Sequence, residues 1–203
     1  MTEIIEPHPK LIEYLEIAYN ILPEVNKDLN DFFEAGEWHY IQSDLESNIY
    51  LFKRLDEVGL LPNQINACDC GIGLGTIFFD LYLQSKEFPD NKFTFTGIER
   101  HDRYIDCLNN NLLKYWDSNL NLIHDDIMNI NYSNYNFIYF YQPFKISDKA
   151  VAFYHKVISE APEGAIIMGL NTFQVQAYGD EVLNNVFRKL RYHKIDDLHI
   201  FIK

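Results

Sequence analysis

Several features that would place this sequence in a particular class of protein are missing from it. No apolar run reaches the ~18 residues that a membrane-spanning helix needs. The opening segment, MTEIIEPHPK, has neither the basic nor the apolar stretch of a secretory signal. Basic residues are outnumbered, 17 Lys and Arg against 30 Asp and Glu, and the net charge of −13 disfavours a nucleic-acid partner. We expect a cytoplasmic protein without a membrane segment.

Cysteine is also scarce, with three residues in the chain. Cys68 and Cys70 flank Asp69 within an apolar run and alternate with it along a predicted strand, as small buried side chains do. A C-x-C pair without a C-x-x-C motif is a poor zinc site, and no His, Asp or Glu cluster has metal-ligand spacing. We therefore predict buried structural thiols and no metal site.

The abundant residues describe a folded chain with a large core. Hydrophobic residues make up 47% of the sequence and aromatic residues 15%, which argues against disorder. Residues 8 to about 60 have helical periodicity, with an expected break or restart at Pro23 and a capping box from Ser43 to Glu46. The pattern changes near residue 63, which predicts an N-terminal helical extension or lid, residues 1–62, and an α/β domain, residues 63–203.

Short apolar runs alternate with helical segments in the second part. The predicted strands are residues 65–70, 92–99, 120–124, 137–141, 165–170, 192–195 and 198–202. The predicted helices are residues 76–85, 102–116, 147–160 and 179–190. This alternation favours an α/β fold with a doubly wound, mostly parallel seven-stranded sheet. Since only Asp196 and Asp197 join the last two strands, they form an antiparallel hairpin that reverses one strand near an edge.

A glycine-rich turn joins the first predicted strand to the next helix. Gly71, Gly73 and Gly75 allow a tight turn and a close approach of a ligand, and the helix offers free amides. The G-x-G-x-G spacing differs from the G-x-G-x-x-G of dinucleotide binding, which disfavours a nicotinamide-dependent oxidoreductase. Asp69, two residues before the first glycine, suits a ligand with a positive amino group and would repel a pyrophosphate. The alternative is a structural turn with glycines for packing.

Glu99 ends the second predicted strand. In a Rossmann-like unit the end of this strand lies next to the ribose hydroxyls of the ligand. A carboxylate there accepts hydrogen bonds from these hydroxyls. The alternative is an exposed glutamate at the end of a strand. Because the glycine-rich turn precedes it, we predict ribose binding.

Residues 65–202 resemble the class I S-adenosylmethionine-dependent methyltransferases. The resemblance rests on the D-x-G-x-G-x-G string that begins at Asp69, on Glu99, on HDDI at 124–127, on FIYFYQPF at 137–144 and on the closing strand pair. It implies a Rossmann-like methyltransferase fold, S-adenosylmethionine as cofactor and methyl transfer as the reaction.

The resemblance also implies roles for single residues. The residues that it assigns to the cofactor are Asp69, Gly71, Gly73, Gly75, Glu99, Asp125 and Asp126. Asp69 and the glycine backbone would hold the methionine part, and Glu99 the ribose. Asp126, or its neighbour Asp125, would contact the adenine amino group, unless this pair only caps the next helical turn.

The acceptor is predicted to bind after the fourth strand. Gln142, Pro143 and Phe144 stand where methyltransferases acting on amino groups carry N-P-P-Y or N-P-F. The side-chain amide of Gln142 would accept from the amine, and Phe144 would stack on the acceptor. The sequence departs from the family pattern by Gln for Asn and by one proline fewer, and the alternative is a proline-ended strand with an aromatic ring packed beneath it. His39 is the candidate general base, or else a structural residue in the lid.

Two other functions are compatible with the same features. One is an aminopropyltransferase-like enzyme, which would not need the carboxylate of Asp69. The other is a catalytically inactive cofactor-binding partner subunit, which the non-standard QPF sequence leaves open because fold does not fix function. We expect a methyl acceptor that is a protein or a small molecule, while its identity and the oligomeric state are not encoded in any recognisable pattern.

Overall fold

A seven-stranded sheet forms the centre of the computed structural model, which describes residues 8–25, 50–117, 119–141, 143–144, 148–169, 188, 190–195 and 198–203. The strands are β1 Gln64–Cys70, β2 Lys92–Glu99, β3 Leu120–His124, β4 Phe137–Tyr139, β5 Ile166–Met168, β6 Arg191–Ile195 and β7 Leu198–Ile202. Each end lies within two residues of its predicted position.

The strand order is β3-β2-β1-β4-β5-β7-β6. Strands β1 to β5 pair in parallel, while β7 runs antiparallel to β5 and β6. The predicted doubly wound, mostly parallel sheet is confirmed, with the reversed strand one position in from the edge. The chain changes direction across the sheet between β1 and β4, and ligands of doubly wound sheets bind at the carboxyl ends of the strands at such a point.

Helices cover both faces of the sheet. Their bounds are α1 Pro9–Val25, α2 Leu51–Glu57, α3 Thr76–Ser85, α4 Asp102–Cys107 and α5 Asp148–Glu160. The first four contribute to one hydrophobic cluster and α5 to a second on the opposite face. In β1, Ala67 belongs to the first cluster and Cys68 to the second, which is the period-two pattern of a strand buried on both faces.

Helix α3, which follows the glycine-rich turn, is buried along its whole length. The ring of Tyr14 in α1 stacks on Phe79 of α3, with 4.1 Å between the ring centroids. Helix α2 is tied to α3 where the amide of Phe52 donates to Oε1 of Gln84 at 3.1 Å. The described part of the N-terminal extension therefore packs on the first helix of the α/β domain, and its role as a lid stays a prediction.

The expected break at Pro23 is wrong, because α1 continues through it to Val25. A proline removes one intrahelical hydrogen bond, and the described helix accommodates that loss.

The predicted helix over residues 102–116 is α-helical only in α4. It continues as a π-helical turn at Leu108–Leu112 and a 3-10 turn at Leu113–Trp116. Three asparagines occupy positions 109–111, and asparagine side chains compete with the backbone for hydrogen bonds. Asn111 does so here, because its side-chain amide donates to the carbonyl of Cys107 at 3.2 Å.

The thiols behave as predicted, since Cys68 and Cys70 are buried and free. In the described part of the chain no helix has both the length and the apolar character needed to cross a membrane. The capping box at 43–46 lies outside the described residues, and so does almost all of the predicted helix 179–190.

Candidate functional site

The glycine-rich turn, residues 71–75 and called the glycine loop below, bends from the end of β1 into α3. Gly71, Gly73 and Gly75 have φ angles of +90°, +54° and +68°, which residues with a side chain rarely adopt. The amides of Gly71 and Ile72 both donate to the carbonyl of Ile98 at 2.9 Å. The loop is therefore fastened to the carboxyl end of β2 as well as to β1.

A fourth glycine, inside β2, lets the loop lie close to the sheet. A Cβ atom at Gly97 would be 2.3 Å from Cδ1 of Ile72, the apolar residue of the loop. This distance is far inside van der Waals contact, so any side chain at position 97 would require the Ile72 side chain to move. Nothing in the sequence distinguishes Gly97 from an ordinary glycine in a strand.

Asp69 lies at the carboxyl end of β1, on the same face of the sheet as Glu99. It pairs with Gly97 in β2, and Glu99 follows two residues later, so that both side chains project the same way. Asp69 is 5% exposed, and no residue that the structure describes forms a hydrogen bond with its carboxyl group. Burial raises the pKa of Asp69 well above its ordinary value, and the Glu99 carboxylate raises it further. Such a carboxylate favours a positively charged ligand, because an unpaired buried charge is unfavourable.

Glu99, by contrast, is surrounded by donors. Its Oε2 accepts from the amide of Gly73 in the glycine loop at 3.1 Å. Its Oε1 accepts from the amides of Arg100 at 2.9 Å and His101 at 3.0 Å. Burial raises the pKa of Glu99, while these amides and the His101 side chain lower it. Among the described donors only one reaches Oε2, which leaves a lone pair there for a further hydroxyl or amide.

Asp125 and Asp126 follow β3 and fix the next turn. Oδ1 of Asp125 accepts from the amide of Asp126 at 2.7 Å and from the side chain of Asn129 at 2.8 Å, and these bonds lower the pKa of Asp125. Oδ1 of Asp126 accepts from the amide of Met128 at 2.8 Å and caps a 3-10 turn. The capping role considered for this pair is therefore present, and a contact with adenine stays a prediction.

The end of β4 lies near the first glycine of the loop. A Cβ atom at Gly71 would lie 4.0 Å from Cβ of Pro143, so the two segments are close together at this end of the sheet. Phe144 is 3% exposed and its ring packs against Phe153, with 5.6 Å between the centroids. This burial fits the second interpretation of Phe144, a ring packed beneath the strand end, and stacking on an acceptor stays a prediction. Tyr141, at the same end, is 43% exposed.

Two predicted catalytic residues, Gln142 and His39, lie outside the described residues, so their roles stay predictions. Within the described ranges, no group of three or more His, Cys, Asp or Glu side chains could hold a metal ion.

The sequence patterns did not indicate two basic residues of the site. Nη1 of Arg100 and Nζ of Lys149 each lie 3.6 Å from Oδ2 of Asp126. Arg100 directly follows Glu99, so its position after the predicted ribose-binding residue was a usable signal. Lys149 comes from α5, and no local pattern connects it to the loop after β3.

Solved structures with the same architecture identify the fold of this chain. The chain matches a candidate class I S-adenosylmethionine-dependent methyltransferase from Listeria monocytogenes with a TM-score of 0.60 and 13% identity, over 98% of this chain and 70% of that one. The chain has the fold of the class I S-adenosylmethionine-dependent methyltransferases. No protein-family model and no curated protein matches its sequence.

Two further matches show how widely the fold is used. Precorrin-6y C5,15-methyltransferase from Geobacter metallireducens matches with a TM-score of 0.51 and 10% identity, over 82% of this chain and 94% of that one. A candidate RNA methyltransferase from Pyrococcus horikoshii matches with a TM-score of 0.52 and 13% identity, over 91% and 98%. At such identities the likeness establishes the fold alone, and the function must be argued from the site.

Proposed function

We propose that this chain binds S-adenosylmethionine at the carboxyl ends of β1 to β3 and transfers its methyl group to an acceptor at the end of β4. The observation that carries the proposal is the carboxyl group of Asp69. It is buried, next to a second carboxylate and without a hydrogen bond from any described residue. Ionised, this group needs a cation, and the cofactor carries both an ammonium and a sulfonium group.

The charge of the site also favours S-adenosylmethionine over a dinucleotide as the ligand. A pyrophosphate would meet Asp69 with the same sign of charge, at a buried position where screening by solvent is weak. An ammonium beside Asp69 gives instead a charge-assisted hydrogen bond, which is stronger than a neutral one. The site therefore selects by charge as well as by shape.

The remaining parts of the cofactor would follow the strand order outward from β1. Glu99 ends β2, and its Oε2 is free to accept a ribose hydroxyl beside the Gly73 amide. Asp126 and Asp125 follow β3, the next strand, and the amide of Asp125 donates to the carbonyl of Glu99 at 3.1 Å. That bond keeps the turn after β3 next to the proposed ribose position. Asp125 and Asp126 would there be within reach of the adenine amino group.

Transfer requires alignment more than acid–base chemistry. When bound, the cofactor supplies a methyl group on a sulfonium, which is already a good leaving system. The chain has to place the acceptor in line with that methyl and exclude water. Pro143, at the end of β4, lies close to Gly71, so an acceptor bound there would lie against the methionine part of the cofactor.

The acceptor that we propose is an amino group of a protein or a small molecule. Support comes from the side-chain amide of Gln142, at the position where related enzymes hold an amine. The net charge of −13 also favours a cationic acceptor over an anionic one. A protonated amine would need a base, and His39 is the candidate.

Isothermal titration of S-adenosylmethionine, S-adenosylhomocysteine and NAD tests the proposal. We expect micromolar binding of the first two and none of NAD. Asp69→Asn keeps the shape of the side chain and removes its charge, so it should weaken S-adenosylmethionine binding more than tenfold, or about 1.4 kcal/mol.

Asp80→Asn is the matched control. Asp80 is also a buried acid, 7% exposed, but its carboxylate accepts from the side chain of Gln84 at 2.6 Å within α3. Its replacement should leave affinity unchanged. Equal affinities of wild type and Asp69→Asn would refute the assignment of Asp69.

A further inference from the structure

The glycine loop is held from a third direction, by the N-terminal extension. The hydroxyl of Tyr14 in α1 donates to the carbonyl of Leu74, in the middle of the loop, at 2.8 Å. The two residues are 60 positions apart in the chain. Helix α1 thus reaches the backbone of the loop directly rather than through packing alone.

The Tyr14 side chain is itself fixed on all sides. It is 0% exposed, and its ring is stacked on Phe79, one turn into α3. Its hydroxyl accepts from the indole nitrogen of Trp116 at 3.4 Å. A phenol held in this way has little rotational freedom, so its donor is aimed at one point of the loop.

That point is the peptide between Leu74 and Gly75. Its oxygen accepts from Tyr14, and its amide, on Gly75, donates to the carbonyl of Ile72 at 2.7 Å. Both polar atoms of this peptide are therefore engaged, and its plane is set. The peptide begins α3, and a Cβ atom at Gly75 would come within 3.2 Å of the Tyr14 hydroxyl, so the contact is close as well as polar.

Among the described hydrogen bonds of the loop, the carbonyl of Leu74 is held by Tyr14 alone. Gly71 and Ile72 are tied to Ile98, and Gly73 is tied to Glu99, all at the β2 side. Nothing at the β2 side holds the carbonyl of Leu74 among the described residues. Loss of the Tyr14 hydroxyl would free the end of the loop that leads into α3, while the end next to β1 stays in place.

We propose that Tyr14 is a positioning residue for cofactor binding, which orients the Leu74–Gly75 peptide so that the glycine loop is shaped for the ligand before it arrives. This rests on the proposed function for the identity of the ligand. Pre-organisation of this kind strengthens binding because the ligand does not have to order the loop. The N-terminal extension then contributes to the site through one buried hydrogen bond.

Tyr14→Phe tests the proposal, since it removes the hydroxyl and keeps the stacked ring. The variant leaves the buried carbonyl of Leu74 unsatisfied and removes one of the two hydrogen bonds of the peptide, so we expect S-adenosylmethionine to bind roughly five- to tenfold more weakly by titration calorimetry. Tyr82→Phe is the matched control. Tyr82 is 2% exposed in α3, and its hydroxyl donates to Oδ2 of Asp117 at 2.7 Å, away from the loop. The Tyr82→Phe variant should be destabilised about as much as Tyr14→Phe and should keep its affinity for S-adenosylmethionine.

A second measurement does not depend on the ligand. Amide hydrogen exchange at Gly75 in the unliganded protein should be faster in Tyr14→Phe than in wild type and unchanged in Tyr82→Phe. Equal exchange rates, or equal weakening of binding in the two variants, would overturn the positioning role and reduce Tyr14 to a core residue. If wild type does not bind S-adenosylmethionine, the proposed function fails, and the exchange rates alone decide the role of Tyr14 in the loop.

Discussion

Cofactor binding is expected to tighten as the pH rises, because the ligand's positive charge replaces a proton at Asp69. In the unliganded protein, burial and the Glu99 carboxylate raise the pKa of Asp69. An ammonium beside the carboxyl group favours its ionised form and lowers that pKa. A group whose pKa falls on binding releases its proton at pH values between its pKa in the liganded protein and its pKa in the unliganded protein. Affinity therefore rises with pH through this window and levels off above the pKa of the unliganded state.

The magnitude is bounded by the number of protons involved. One carboxyl group changes the binding constant by at most tenfold for each pH unit, which is about 1.36 kcal/mol. Glu99 adds less than Asp69, since its three amide hydrogen bonds already favour its ionised form. A plot of the logarithm of the binding constant against pH should therefore approach a slope of one and not exceed it.

Calorimetry in paired buffers measures the released proton directly. Titrations between about pH 5 and 7 keep the α-amino group of the ligand protonated, because its ordinary pKa is about 7.7–8.0. The difference in heat between two buffers with unlike ionisation enthalpies gives the proton count, which should fall from wild type to Asp69→Asn. A wild-type count of zero throughout this range, or an identical count in the variant, would refute the reasoning.

The remaining predictions concern the loop and the acceptor. Gly97→Ala should destabilise the protein by about 1–3 kcal/mol in chemical denaturation, because the new Cβ overlaps Ile72. The double variant with Ile72→Val removes the overlapping Cδ1 and should recover part of the loss, and no recovery would place the strain elsewhere. Gln142→Ala should leave cofactor affinity intact and reduce turnover of an acceptor found by labelled-methyl screening. Unaltered turnover would move the acceptor away from the end of β4.

The strands and the meeting of Asp69 with Glu99 were predictable from the sequence. Period-two and continuous apolar runs mark the strands, and the carboxyl ends of neighbouring parallel strands must lie at one edge of the sheet. The reversal of β7 was also predictable, because the two-residue link after β6 permits only an antiparallel partner.

Other parts of the site depend on contacts that no local pattern contains. Phe144 has the same sequence context whether or not it packs on Phe153, and that packing is visible only once α5 is in place. The bond from Tyr14 to Leu74 joins residues 60 positions apart. The clash that requires Gly97 exists only once the loop is folded over β2.

The stability of the protein and its affinity for the cofactor both depend on the ionisation of the Asp69 carboxyl group. Its pKa is raised in the folded, unliganded protein relative to the unfolded chain, so its protonated form contributes stability at low pH that is lost as the pH rises through the raised pKa. Above the raised pKa the unliganded protein keeps a buried carboxylate that a neutral side chain would relieve, a common feature of sites selected for binding rather than stability. A cationic ligand reverses that loss, and it binds the folded state alone. The thermal stabilisation by S-adenosylmethionine should therefore increase as the pH rises through the raised pKa of Asp69, in contrast to that by a ligand whose contacts are neutral.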